Sequence, residues 1–146
     1  MRLVTNPFTQ ANPEKGVSDT EVLIPSYWQQ GREAFLQQRY FEAHEVWEVW
    51  WLTLPKVAMV TEVLQALIQC CAVGVHVQQG NLRGVRLKYV KIQRRLQHLQ
   101  GLAWPEQQGY FPEFQGERWQ QTLTLAQPPA CLASANQLVK AWHACF

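Results

Sequence analysis

The run from Val57 to Gln79 constrains this fold most, because its apolar residues leave no face for water. Val57, Val60, Val63, Leu64, Leu67, Ile68, Val73 and Val77 fall all round a helical wheel. A helix of that kind is stable only when other elements surround it. Glu62, Gln65, Gln69 and His76 interrupt the run, leaving it short of the ~18–20 uninterrupted apolar residues that crossing a bilayer requires. The pattern therefore predicts a central helix over 57–79, jacketed by the rest of the chain.

That jacket reads as more helices. Ser26 suits an N-cap for a first helix over 26–38, whose core contacts are Tyr27, Ala34 and Phe35. A second helix covers 40–54 and stops at Pro55. Gly80-Asn81 ends the central helix. Val85, Tyr89, Ile92, Leu96 and Leu99 then recur at helical spacing and predict a fourth helix over 82–100. A short helix near 113–126 and a last one over 132–145, docking Leu138, Val139 and Trp142, complete the set. Residues 1–25 read as an extended arm. No strand pattern competes, so the fold class is all-α: a compact bundle of two antiparallel helix hairpins plus C-terminal helices. The stretches beginning at Gln38 and Gln79, 41 residues apart, sit at equivalent turns of the two hairpins. A length of 146 residues with 47% hydrophobic content fits one domain over 1–146.

The second helix carries ionisable groups where a core helix should carry apolar ones. Tyr40, His44, Trp47 and Trp51 fall at i, i+4, i+7 and i+11, with Glu45 and Glu48 beside them. An inward-facing carboxylate without a partner costs several kcal/mol, so these groups must be paired, bound or open to a groove. On the central helix Gln65, Gln69 and His76 form one polar stripe, extended by Glu62 and expected to face the second helix. Glu42, His44, Glu45, Glu48, Gln65, Gln69 and His76 thus compose a candidate polar seam.

Three chemistries suit that seam. A buried hydrogen-bond network would fix helix register without any reaction. A pocket for a small ligand would use the same groups for recognition. A metal-dependent, hydrolase-like site is the third. His44-Glu45-Val46-Trp47-Glu48 has the spacing of a helical H-E-x-x-H zinc motif with Glu in place of the second His. His44 and Glu48 would hold a divalent ion, with His76 or Gln69 completing the shell and Glu45 as general base. A di-iron centre fails, because the central helix offers only Glu62, roughly 21 Å from His76 along the axis. No cofactor is required by the pattern; a divalent metal is the alternative.

The same residues resemble those of a known family, the domain of unknown function 309 family of small helical proteins. Phe35, Tyr40, Phe41, Glu42, Ala43, His44, Glu45 and Glu48 match its first motif, with Trp51 following. Leu64, Gln65, Leu67, Ile68 and Gln69 match its second, with Ala66 where Gly is usual. His76, Gly80, Asn81 and Gly84 match the third. The resemblance covers a core of about 27–100, leaving the arm and an extension over 101–146 outside it. It implies a helical bundle with a shared polar seam, and no activity.

Charge is segregated along the chain. Residues 63–105 carry six Lys/Arg and no acid, whereas residues 1–62 carry five against eight Asp/Glu. Arg83, Lys88, Lys91 and Arg95 on the fourth helix are therefore candidate anion-binding residues, for phosphates of a ligand or a nucleic acid. A solvated face, or one neutralised by packing or dimerisation, is the more ordinary reading. Seven Trp exceed the needs of a small core, and any left exposed would favour a protein partner or homo-oligomer. The four Cys form no C-x-x-C pair and read as free thiols. The N-terminus lacks the apolar segment of a signal peptide, so the sequence predicts a cytoplasmic protein without a membrane partner. The leading expectation is a non-catalytic binding or protein-interaction module.

Overall fold

The computed structural model describes residues 19–125 and 127–146. Its first four helices are α1 (Asp19–Leu36), α2 (Tyr40–Leu52), α3 (Met59–Gln78) and α4 (Leu82–His98). They fold as two hairpins. In the first, Tyr27 stacks on Trp50, Trp28 on Trp47 and Phe35 packs on Tyr40, an antiparallel sequence of contacts. In the second, Glu62 meets Arg95 near one end and His76 meets Asn81 at the other. A 3-10 turn (Trp104–Gln107), α5 (Gly116–Leu125) and α6 (Leu132–His143) follow. The described residues contain no strand, and the fold is an all-α bundle.

The two hairpin turns share one geometry. The Arg39 amide donates to the Ala34 carbonyl at 2.8 Å, and the Asn81 amide to the His76 carbonyl at 2.8 Å. Each closure needs a left-handed residue, which is Gln38 (φ 64°) in one turn and Gly80 (φ 67°) in the other. The equivalence pairs Gln38 with Gly80, one residue away from the 41-residue offset that the sequence suggested.

One helix start also differs. The sequence reading placed the start of the first helix at Ser26, as an N-cap, with residues 1–25 as an arm. Instead α1 begins at Asp19 and runs through Pro25. Of the expected arm, residues 1–18 lie outside the described residues.

Helix α3 is the central element. It packs against α2, α4 and α6, and eleven of its twenty residues are buried, including Val63, Leu64, Leu67 and Ile68. Among the described residues α3 alone is long and apolar enough to cross a membrane, and 61% of that stretch is covered by the rest of the chain. Burial of these side chains against helices supplies the driving force that a bilayer would otherwise give.

Aromatic residues build the rest of the core. Trp28, Trp47, Trp50, Trp104, Trp119 and Trp142 are all buried. Trp51 is half-buried, with the Lys56 ammonium 4.3 Å from its ring centre. The tryptophans therefore belong to the core, and the partner-surface argument built on them falls away. Residues beyond 101 are part of the same core: Phe146 packs on Trp28, Phe35, Trp47 and Phe114. The Arg32 side chain donates to the Phe146 main-chain oxygen at 2.8 Å, and the Gln115 amide to the Cys145 carbonyl at 2.8 Å. His143 of α6 lies 2.7 Å from the Tyr40 hydroxyl. Burial holds His143 below its usual value and pushes Tyr40 up to about 12.

Candidate functional site

Helix α2 buries Tyr40, Ala43, Val46, Trp47 and Trp50. Its inward stripe runs through Tyr40, Ala43, Trp47 and Trp50 at i, i+3, i+7 and i+10, rotated from the expected Tyr40–His44–Trp47–Trp51 line. The rotation has a simple cause. The observed line turns the Ala43 methyl inward in place of the His44 imidazole, so no polar ring and no carboxylate has to leave water unpaired. His44 and Glu45 are left half-buried and Glu48 exposed. His44 Nδ1 lies 3.4 Å from the Glu45 carboxylate, and its ring stacks on that of Phe41. One donor atom each from His44, Glu45 and Glu48 lies within 4.8 Å of the others. His76 is not a member of that group. Glu42 pairs with Arg39 at the start of α2.

The polar stripe of α3 is real but looks elsewhere. Glu62, Gln65, Gln69, Ala72 and His76 are half-buried at i, i+3, i+7, i+10 and i+14, on a helix buried on its other sides. Those with hydrogen-bond partners turn to α4, not α2. Glu62 accepts from Arg95 at 2.9 Å and lies 3.2 Å from His98 Nδ1, while His76 Nδ1 lies 3.3 Å from the Asn81 amide nitrogen. Gln69 Oε1 is buried without a partner among the described residues. The seam expected between the second and third helices is therefore not a joined network. Among the described residues no hydrogen bond links Glu42, His44, Glu45 or Glu48 to Gln65, Gln69 or His76.

The Glu62 ion pair gives a pH-dependent contribution with a definite sign. Burial raises its carboxyl pKa, but hydrogen bonds from His98 and Arg95 outweigh this and hold it below the usual 4.5. A depressed folded value stabilises the protein fully above the unfolded value, and that stabilisation is lost as pH falls through the folded one. Glu62→Gln is expected to flatten the fall of the melting temperature below pH ~4.5 while lowering it at pH 7. Thermal melts across that range check it, and an unchanged acid limb would remove the assignment.

A shallow hollow of about 470 Å³ lies along α4. Its walls include His76, Arg83, Leu87, Lys88, Lys91 and Arg94. Gly84 lets α4 close on α3 there, for a Cβ at that position would lie 2.5 Å from His76 Nδ1. Leu87 is 57% exposed and Val90 46%. Burial, and then the neighbouring Lys91 charge, lower the Lys88 pKa. Of the candidate anion-binding residues, Arg83, Lys88 and Lys91 line the hollow, while Arg95 is paired with Glu62. Arg94, another of the six cations of that basic run, joins them. Among the described residues no carboxylate pairs with Arg83, Lys88, Lys91 or Arg94.

Comparison with known families gives one match: the model of the domain of unknown function (DUF309) covers residues 28–87. The family resemblance read from the three motifs holds over that segment. No curated protein and no solved structure matches the chain.

Proposed function

We propose that this chain, whose residues 28–87 belong to the domain of unknown function DUF309, is a non-catalytic interaction module docking an acidic, partly apolar partner on the outer face of α4. One observation carries the reading: Leu87 and Val90 are exposed among four cations that have no carboxylate partner. Exposed aliphatics supply area for affinity, and unpaired cations supply orientation and encounter rate. A nucleic-acid surface fits less well, since phosphates reward cations and gain nothing from aliphatic side chains at the centre. The reading takes the chain as a single domain working in the cytoplasm.

The test uses a designed helical peptide bearing Phe and Glu on one face, followed by fluorescence anisotropy with the full chain. Binding should weaken as salt rises and fall roughly tenfold or more in Lys91→Glu/Arg94→Glu. Binding that ignores both salt and the double variant would exclude the α4 face.

A second reading is favoured by the 4.8 Å grouping on α2. A divalent cation would take His44, Glu45 and Glu48 as its three protein donors, leaving an open position for water as hydrolytic metal sites do. Glu45 would then be a ligand rather than the general base. Elemental analysis of untagged protein should find near-stoichiometric metal that disappears in His44→Ala/Glu48→Gln, with little change in melting temperature because these side chains touch water. Metal-free wild-type protein that also fails to take up zinc on titration would end this reading.

A further inference from the structure

We infer that a second copy of this chain is the partner, laying its α2 along the α4 face with Phe41 beside Leu87 in the hollow. The inference rests on the reading of α4 as a docking surface and names the occupant. Two solvent-facing stripes of opposite charge occur in one molecule. On α2 the outward stripe is Phe41, Glu45, Glu48 and Leu52, at i, i+4, i+7 and i+11, with both apolar ends 65% exposed. On α4 the residues at the same spacing are Leu87, Lys91, Arg94 and His98. Residues spaced in this way share one helix face, so two such faces can meet residue by residue.

Laid side by side in that register, Phe41 meets Leu87, Glu45 meets Lys91, Glu48 meets Arg94 and Leu52 meets His98. Apolar area and both charge pairs are satisfied together. Within one copy the faces do not neutralise each other: among the described residues no ion pair joins Glu45 or Glu48 to Lys91 or Arg94. The shallow hollow suits a knob the size of Phe41, whose ring in the single copy stacks on His44 and is otherwise largely open to water. A two-fold arrangement satisfies both faces of each copy at once: α2 of one lies on α4 of the other, and the reverse. Opposite charges at corresponding positions also disfavour the alternatives, α2 on α2 and α4 on α4, through like-charge repulsion.

Sedimentation velocity of the full chain, in EDTA to exclude bridging metal, tests the pairing. Wild-type protein should form a dimer at ~100 µM that dissociates as salt rises. Glu45→Lys/Glu48→Lys and Lys91→Glu/Arg94→Glu should each be monomeric there, and an equimolar mixture of the two should dimerise again. Phe41→Ala should weaken the wild-type dimer roughly tenfold without charge change. Monomeric wild-type protein, or a mixture that fails to re-associate, overturns the inference. The designed-peptide assay separates the two levels. Monomeric protein that still binds the peptide loses only the second copy, whereas protein that binds neither loses the docking surface as well.

Discussion

Gly31→Leu is expected to abolish cooperative folding, and Gly31→Ala to cost about 1–3 kcal/mol, the usual penalty for overpacking a filled core. Gly31 sits in the middle of α1, where glycine ordinarily weakens a helix by about 1 kcal/mol relative to alanine. Propensity alone thus makes Gly31→Ala stabilising. Packing reverses the sign. A Cβ at this position would lie 2.0 Å from Trp47 Nε1 and 2.4 Å from Trp47 Cε2. That indole is fully buried and stacked on Trp28 with centroids 5.4 Å apart, so it has nowhere to retreat without displacing a second indole. A leucine adds three further carbons in the same place. Against a total stability of about 5–15 kcal/mol, such an insertion consumes most of the margin. Urea unfolding checks both variants. A Gly31→Ala protein more stable than wild type would mean that α1 and α2 separate without cost, contradicting the packing described.

Gly31 also shows what the sequence can and cannot convey. The all-α class, the central helix and the two hairpins follow from periodicity, because an apolar run with period 3.6 has few alternatives. The partner of a polar stripe does not follow. A stripe on α3 shows that one side is different, yet α2 and α4 both flank it, and the sequence reading chose α2 where Glu62 and His76 turn to α4. Rotation about a helix axis is equally hard to read. The lines Tyr40–His44–Trp47–Trp51 and Tyr40–Ala43–Trp47–Trp50 differ by a fraction of a turn, and only packing against α1 decides which is buried. That small rotation moves His44 from the core to the surface and turns an expected network into an open cluster. The basic helix was legible as a charge run, and Arg95 needed the structure to reveal its partner. Nothing in the chain's early part signalled that Phe146 would pack on Trp28.

Trp28→Ala is expected to destabilise the protein by roughly 3–5 kcal/mol and to loosen residues 111–114 and 146 together with α2. Trp28 is wholly buried where the two sequence regions meet. Its ring stacks on Trp47 at 5.4 Å and on Phe146 at 5.7 Å, and receives the edges of Phe111 and Phe114. Its indole N–H donates to the Pro112 carbonyl at 2.9 Å. Truncation therefore opens a cavity lined by both the family-matched segment and the C-terminal extension, and leaves the Pro112 carbonyl to find water. Trp28→Phe separates the two contributions. It keeps most of the ring stack and loses the donor, so its cost should be well under half that of alanine. Hydrogen exchange is the decisive readout. If one core holds the chain together, amides in α2 and around Phe114 should lose protection in parallel, and unfolding followed by fluorescence and by circular dichroism should coincide. Loss of protection confined to residues beyond 101 would instead mean that the extension is a separable unit resting on a bundle that folds without it.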